Sequence, residues 1–206
     1  MMHKVAAGMM VVMWALCAGT TWGAAPASEP APGEAEKAAE QRIGSVRDAI
    51  VDALWLKTDE YWHGGNPAPV IGICRTIIQL DPQFVEAYSV GAWVASQQGD
   101  NKAAIAFYQQ GIAANPDRYE LQHELGMYYM YHDHDLKAAL PHLKRAAELD
   151  SPGPVKRTYA HALTKAGMFK QAAAEWRRIL KLDPNDQFAQ RELKKLRDAG
   201  KIGPGD

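Results

Sequence analysis

Apolar residues recur at intervals of three and four along most of the chain, in short runs that are evenly broken. Between Val85 and Pro116, residues Ala87, Tyr88, Gly91, Ala92 and Ala95 fall on one helical face. Gly99-Asp100 interrupts the pattern, and Ala104, Phe107, Tyr108, Gly111 and Ile112 resume it. This spacing is that of an amphipathic helix, whereas a half-buried strand would alternate. Asn101 stands where a cap for the second helix is expected. Asn115-Pro116 stops that helix, since proline cannot continue the hydrogen-bond ladder. One unit therefore reads as helix, tight turn, helix, turn.

The unit repeats. Asp81-Pro82 and Asn115-Pro116 lie 34 residues apart, and Asp183-Pro184 follows 68 residues later. Asp150 marks the midpoint to within one residue. In the next unit Leu125-Gly126 and Tyr129 mark the first helix, and Ala139, Leu143 and Ala146 the second. Its one extra residue falls in the turn His132-Asp133-His134-Asp135. In the unit after that, Tyr159-Ala160 and Leu163 precede Gly167, and Ala172, Trp176 and Ile179 follow it. Working back gives a degenerate first unit. Its first helix is expected from Ser45 to Trp62, ended by His63-Gly64-Gly65-Asn66, and its second from Pro69 to Leu80. Lys57-Thr58 stands there in place of the Leu-Gly pair. The predicted repeats are 51–84, 85–118, 119–152 and 153–186, within a helical domain of 44–200. A single amphipathic helix at 187–199 is expected to cap the array, with Phe188, Leu193 and Leu196 on its apolar face. A fixed period of this length is the mark of stacked supersecondary units.

The pattern resembles the tetratricopeptide repeat family. The resemblance rests on Gly91-Ala92, Ala104, Tyr108 and Pro116, then on Leu125-Gly126, Tyr129, Ala139 and Ala146, then on Ala160, Ala172, Trp176 and Pro184. It implies an all-α fold, a right-handed superhelical solenoid of antiparallel helix pairs. It also implies a concave face lined by the first helix of each pair, which in the family often holds a peptide.

The N-terminus has a different character. Met1-Met2-His3-Lys4 is a short basic start, Val5 to Cys17 is apolar apart from one glycine, and small residues lead to Gly23. This is the layout of a secretory signal peptide over 1–23. It places the protein outside the cytoplasm, in a periplasm or cell envelope, unless the segment is kept as an anchor. A Pro/Ala/Glu-rich stretch over 24–43 reads as a linker. With the signal removed only Cys74 remains, so no internal disulfide forms and stability must come from packing. Cys74 sits in an apolar run and reads as a small buried hydrophobe. The formal charge of −1 over 206 residues, with Lys and Arg scattered among acids, argues against nucleic acid as a partner.

Repeat phase selects the residues expected on the first-helix face. The predicted partner-binding set is Trp93, His123, Met127, Tyr131, Arg157, His161 and Lys165. Glu86, Ser89, Ser96, Glu120, Met130 and Thr164 share the face, and Trp55, Asp59 and Trp62 are the analogous positions in the first unit. Aromatic and Met side chains offer adaptable apolar contact, and Arg157 with Lys165 offers charge for an acidic group. The family's carboxylate-clamping Lys/Asn/Arg set has no counterpart at matching positions. His132-Asp133-His134-Asp135 carries metal-binding side chains, but neighbours in one turn rarely converge on one ion, so no metal site is assigned. No phosphate loop, HExxH or Ser/His/Asp arrangement appears. The expectation is a non-enzymatic scaffold or adaptor, with no cofactor, binding a protein or peptide in its concave face. A metal-binding accessory or enzyme support, and a self-assembling array, are the alternatives.

Overall fold

The computed structural model describes residues 32–203; the expected signal peptide lies outside them. The chain divides into two units, Met1–Arg42 and Ile43–Asp206. Of the first, the described part is the opening of helix α1 (Pro32–His63). The helix thus begins inside the stretch expected to be linker. Its sequence accounts for this. Proline is tolerated in a first helical turn, and Lys37-Ala38-Ala39-Glu40-Gln41-Arg42 is built of strong helix formers.

Within the second unit α1 is followed by α2 (Val70–Leu80), α3 (Val85–Gln97), α4 (Asn101–Ala114), α5 (Tyr119–Tyr131), α6 (Leu136–Glu148), α7 (Gly153–Lys165), α8 (Phe169–Leu182) and α9 (Gln187–Asp198). The described residues contain no strand. From α2 onward each helix packs on the next, and α3 also meets α5. This is an all-α array of tetratricopeptide type. No helix among the described residues is long and apolar enough to cross a membrane.

What ends the first helix of each pair, and the single helix α9 as well, is a left-handed residue. Gly65, Gly99, Gly167 and Gly200 have φ of 71°, 79°, 73° and 63°. At each of the four the next amide reaches back over the last turn, as Asp100 N–H does to Ala95 O at 2.9 Å and Met168 N–H to Leu163 O at 2.9 Å. This is the Schellman closure, which satisfies carbonyls that the helix leaves without partners. Glycine supplies the conformation without a Cβ clash. Between Gly99 and Gly167 the same place is held by His134, the one described non-glycine residue with positive φ, at 56°. The inserted residue of that turn thus has a physical counterpart: Asp135 N–H now reaches Tyr129 O at 2.8 Å.

Two of the second helices, α4 and α6, begin on aspartate, whereas α2 follows Pro69 and α8 follows Met168 without a side-chain cap. Asp100 accepts from Ala103 N–H and Asp135 from Ala138 N–H, both at 2.9 Å. The cap of α4 is therefore Asp100 and not Asn101. Asn101 already belongs to the helix, and only the residue before it lets its carboxylate turn back to the third amide. The Asp-Pro marks are turns held the same way: Asp81 accepts from Gln83 N–H at 2.9 Å and Asp183 from Asn185 N–H at 3.0 Å. Asn115 differs. It is buried, and its amide donates to Pro82 O at 2.9 Å, one repeat upstream. Tyr88 Oη donates to the same carbonyl at 3.2 Å.

Helices approach closely where side chains are smallest. Ala92, Ala104, Ala139, Ala160 and Ala172 are fully buried. A Cβ on Gly126 would lie 2.6 Å from Leu143 Cγ, so that pair of helices meets with nothing between. In the first unit Thr58 takes the equivalent small-residue place. It is buried and returns its hydroxyl to Leu54 O at 3.3 Å, satisfying itself within its own helix. Cys74 is buried, and burial pushes its thiol up to about 11. The core runs past the expected cap: Ile202 is buried with Leu193 and Leu196.

A non-glycine residue in the left-handed region costs roughly 1–2 kcal/mol, part of which glycine's freer unfolded chain gives back. His134→Gly is therefore expected to raise the melting temperature by about 2 °C, and His134→Val to lower it. Thermal unfolding followed by circular dichroism is the check.

Candidate functional site

Residues 34 apart stand side by side on successive first helices. His123, Arg157 and Arg191 form one such row, Met127 and His161 another, and Pro154 and Phe188 a third. The structure brings Met127, Tyr131, Arg157 and His161 together, as repeat phase predicts. They line a groove of about 360 Å³ with Phe188 and Arg191 from α9, over a floor formed by Trp176 of α8. α9 is thus not only a cap. It continues the row of first helices, and Phe188, expected on the apolar face, is 53% exposed. Its buried face is Ala189, Leu193 and Leu196.

Phe188 is held between two cations. Arg157 Cζ lies 5.1 Å from the ring centroid and Arg191 Cζ 4.7 Å. Lys165 Nζ stands 5.0 Å from the Tyr131 ring centroid. Arg157 is not open for an acidic partner in the way the sequence suggested. Its Nη1 donates to Asp186 Oδ2 at 2.9 Å. Asp186 is buried and also caps α9, accepting from Ala189 N–H at 3.0 Å. Burial raises the Asp186 carboxyl, but the Ala189 amide and the Arg157 guanidinium together outweigh it and hold the group below the usual carboxylate range. At the floor, the indole N–H of Trp176 is buried and has no hydrogen-bond partner among the described residues.

The rest of the predicted set is spread more widely. His123 lies beside the groove and not on it: Nε2 meets Thr158 Oγ1 at 3.2 Å, and burial pushes the imidazole below its usual value. Met130 is buried in the core. Trp93 lies apart, in a second cavity of about 400 Å³ formed with Trp55, Trp62 and Asp59. Trp62 and Trp93 are in ring contact, with centroids 4.3 Å apart. Carboxylates cluster on α3 and α5. Glu120 is paired with Arg118 at 2.9 Å, which keeps it low. Glu124 is pushed up by burial and by the charges of Glu120 and Glu86, against a hydrogen bond from Ser89. Phase reasoning omitted Glu124, Phe188 and Arg191. The period alone would have found the last two, since they stand 34 residues after Pro154 and Arg157.

The histidine-aspartate turn is local. His132 Nδ1 meets Asp133 Oδ1 at 2.9 Å and the imidazole stacks on Tyr128 at 4.6 Å. Among the described residues no group of three or more His, Cys, Asp or Glu side chains is arranged to hold a metal ion.

Residues 85–118 match the family model for the tetratricopeptide repeat. No curated protein sequence matches the chain. Among solved structures it is similar to MamA, with a TM-score of 0.55 and 18% identity over 74% of this chain and 85% of that one. It is similar to the pilF protein of Pseudomonas aeruginosa, with a TM-score of 0.55 and 19% identity over 75% and 71%. YrrB, a tetratricopeptide-repeat protein with an unusual peptide-binding site, gives a TM-score of 0.45 and 22% identity over 58% of this chain. The chain spans 61% of its length. At these identities the likeness is one of fold.

Asp186→Ala removes a cap and leaves a half-buried guanidinium without its carboxylate. The expected loss is about 2–3 kcal/mol by denaturant unfolding. The sign with pH follows from the depressed carboxyl. Its contribution is complete above the unfolded value of about 3.9 and disappears as pH falls through the lower folded value. Stability profiles of the parent and variant should therefore converge in acid, below about pH 4.

Proposed function

We propose that this chain, a tetratricopeptide-repeat protein, is a non-catalytic scaffold that holds a segment of a partner protein in the groove between α5, α7 and α9. Phe188 carries the reading. A phenylalanine ring left half in water forgoes about half of the roughly 1.5–3 kcal/mol that full burial is worth. Here it is fixed on a helix, flanked by two arginines and faced by Tyr131 and Met127. Aromatic residues and arginine are the types that dominate binding hot spots. Arg157 is already locked by Asp186, so little side-chain freedom remains to be lost on binding. The groove has room for one or two side chains of a partner, apolar at the Phe188 ring and bearing hydrogen-bond acceptors toward Arg191 and His161. Export to the cell envelope is part of the proposal and rests on the basic, apolar and small-residue order of residues 1–23.

The test is capture of the partner from the producing cell. Tyr131→Ala with Phe188→Ala removes the two aromatic anchors, and recovery should fall about tenfold or more. His132→Ala with His134→Ala alters a turn away from the groove and should leave recovery unchanged. Both proteins should keep their helical spectra. The opposite ranking would move the interface to the turn.

A second reading, self-association, is favoured by one observation. Ile43, Val46 and Ile50 are 70%, 60% and 44% exposed on one side of α1. Val46 and Ile50, with Ala49, Ala53 and Leu54, line an open apolar groove. A stripe of this kind is a usual seat for another copy of the helix. Sedimentation over a range of concentrations should show a dimer that Val46→Glu with Ile50→Glu returns to monomer.

A further inference from the structure

The second cavity lies apart from that groove, and its lining has a chemistry of its own. Trp55, Trp62 and Trp93 contribute three indoles, Val70 and Val90 complete the apolar surface, and Leu56 and Thr58 border it. Trp62 and Trp93 are 42% and 41% exposed, so both rings are open to an incoming group. Their planes meet at 57°, which makes a corner of the two rings and not a parallel slot. Trp55 is set by an edge contact with Phe84 at 5.1 Å. Thr58 spends its hydroxyl on the carbonyls of its own helix. The charged group on the lining is therefore Asp59, one turn before the Trp62–His63 end of α1. Asp59 is largely exposed, as is the His63 imidazole that it meets at 3.3 Å.

Indole faces carry negative potential and attract cations, and a carboxylate beside them adds to the same field. The apolar surface works against a strongly hydrated ion, since stripping its water is costly. Together these features select a cation that is large, weakly hydrated and clothed in carbon. A corner of tilted rings suits a rounded group better than a flat one, whereas a guanidinium is planar and stacks best on a single face. The volume of about 400 Å³ is ample for such a head with part of its chain.

We propose that the Trp55, Trp62, Trp93 and Asp59 cavity is a binding site for an alkylated ammonium group, independent of the groove at α9. The group is identified by its chemistry. It reaches the cavity as a free small molecule; the same group on a methylated lysine or a lipid headgroup is an alternative outcome of the test.

Calorimetric titration of the full chain tests the assignment, with choline as the first probe and 3,3-dimethylbutan-1-ol as its uncharged isostere. Choline should bind saturably and the isostere at least about tenfold more weakly, because only the charge differs. Asp59→Asn should weaken choline about fivefold, and Trp93→Ala or Trp62→Ala about tenfold. Asp59→Asn keeps the shape of its side chain, so it remains informative if an alanine variant loses helicity. Trimethyllysine amide and phosphatidylcholine vesicles then distinguish the sources. Equal binding of choline and its isostere would reduce the site to an apolar pocket and overturn the proposal. So would tighter binding of arginine amide, or no saturable binding by any of the ammonium probes.

Discussion

A helix can be followed by an antiparallel neighbour only if its last carbonyls are satisfied while the chain reverses. In this protein one left-handed residue solves that problem at the end of each first helix. Gly65, Gly99 and Gly167 supply it without a Cβ clash, and His134 supplies it under strain. The reversal keeps the turns short. Short turns keep the period near 34. A constant period is what sets residues of successive first helices beside one another, so the rows on that face depend on these four backbone angles.

The rows explain why the face is chemically graded. Tryptophans gather on α1 and α3, carboxylates on α3 and α5, and arginine with phenylalanine on α7 and α9. No contact between distant helices is needed for this, because each row is built from neighbours alone. The same economy gives single residues two roles. Asp186 caps α9 and fixes Arg157, and Arg157 in turn holds Phe188 in place. The stability of the last helix and the shape of the groove are thus one interaction. At the other end, Asn115 ties its turn to Pro82 of the preceding repeat, so the spacing between units rests on a buried amide as well as on packing.

Much of the groove was legible before any coordinates. Met127, Tyr131, Arg157 and His161 follow from phase, because helical periodicity and a 34-residue repeat fix which side chains share a face. Phe188 and Arg191 were passed over for a physical reason. An amphipathic helix at the end of an array looks like a lid, and a phenylalanine on it looks like part of the seal. Its exposure follows from how α9 is rotated, with Ala189, Leu193 and Leu196 turned inward. Trp93 was set on the same face as the groove residues but lines a separate cavity with Trp55, Asp59 and Trp62, since phase gives a face and not the extent of a cavity along it.

The sequence by itself determined the helices, their order, the closing glycines and the rows, all of which depend on local propensity and on a period measured along one dimension. Three matters were decided only in the tertiary structure. The first is that Arg157 is bound by Asp186 within the chain, a pairing across 29 residues that no spacing announces. The second is that Met130 is core while Tyr131, its neighbour, is open. The third is that Trp62 and Trp93 meet as a corner. Each turns on the rotation of one helix against another, and a few tens of degrees there decide between burial and a binding surface.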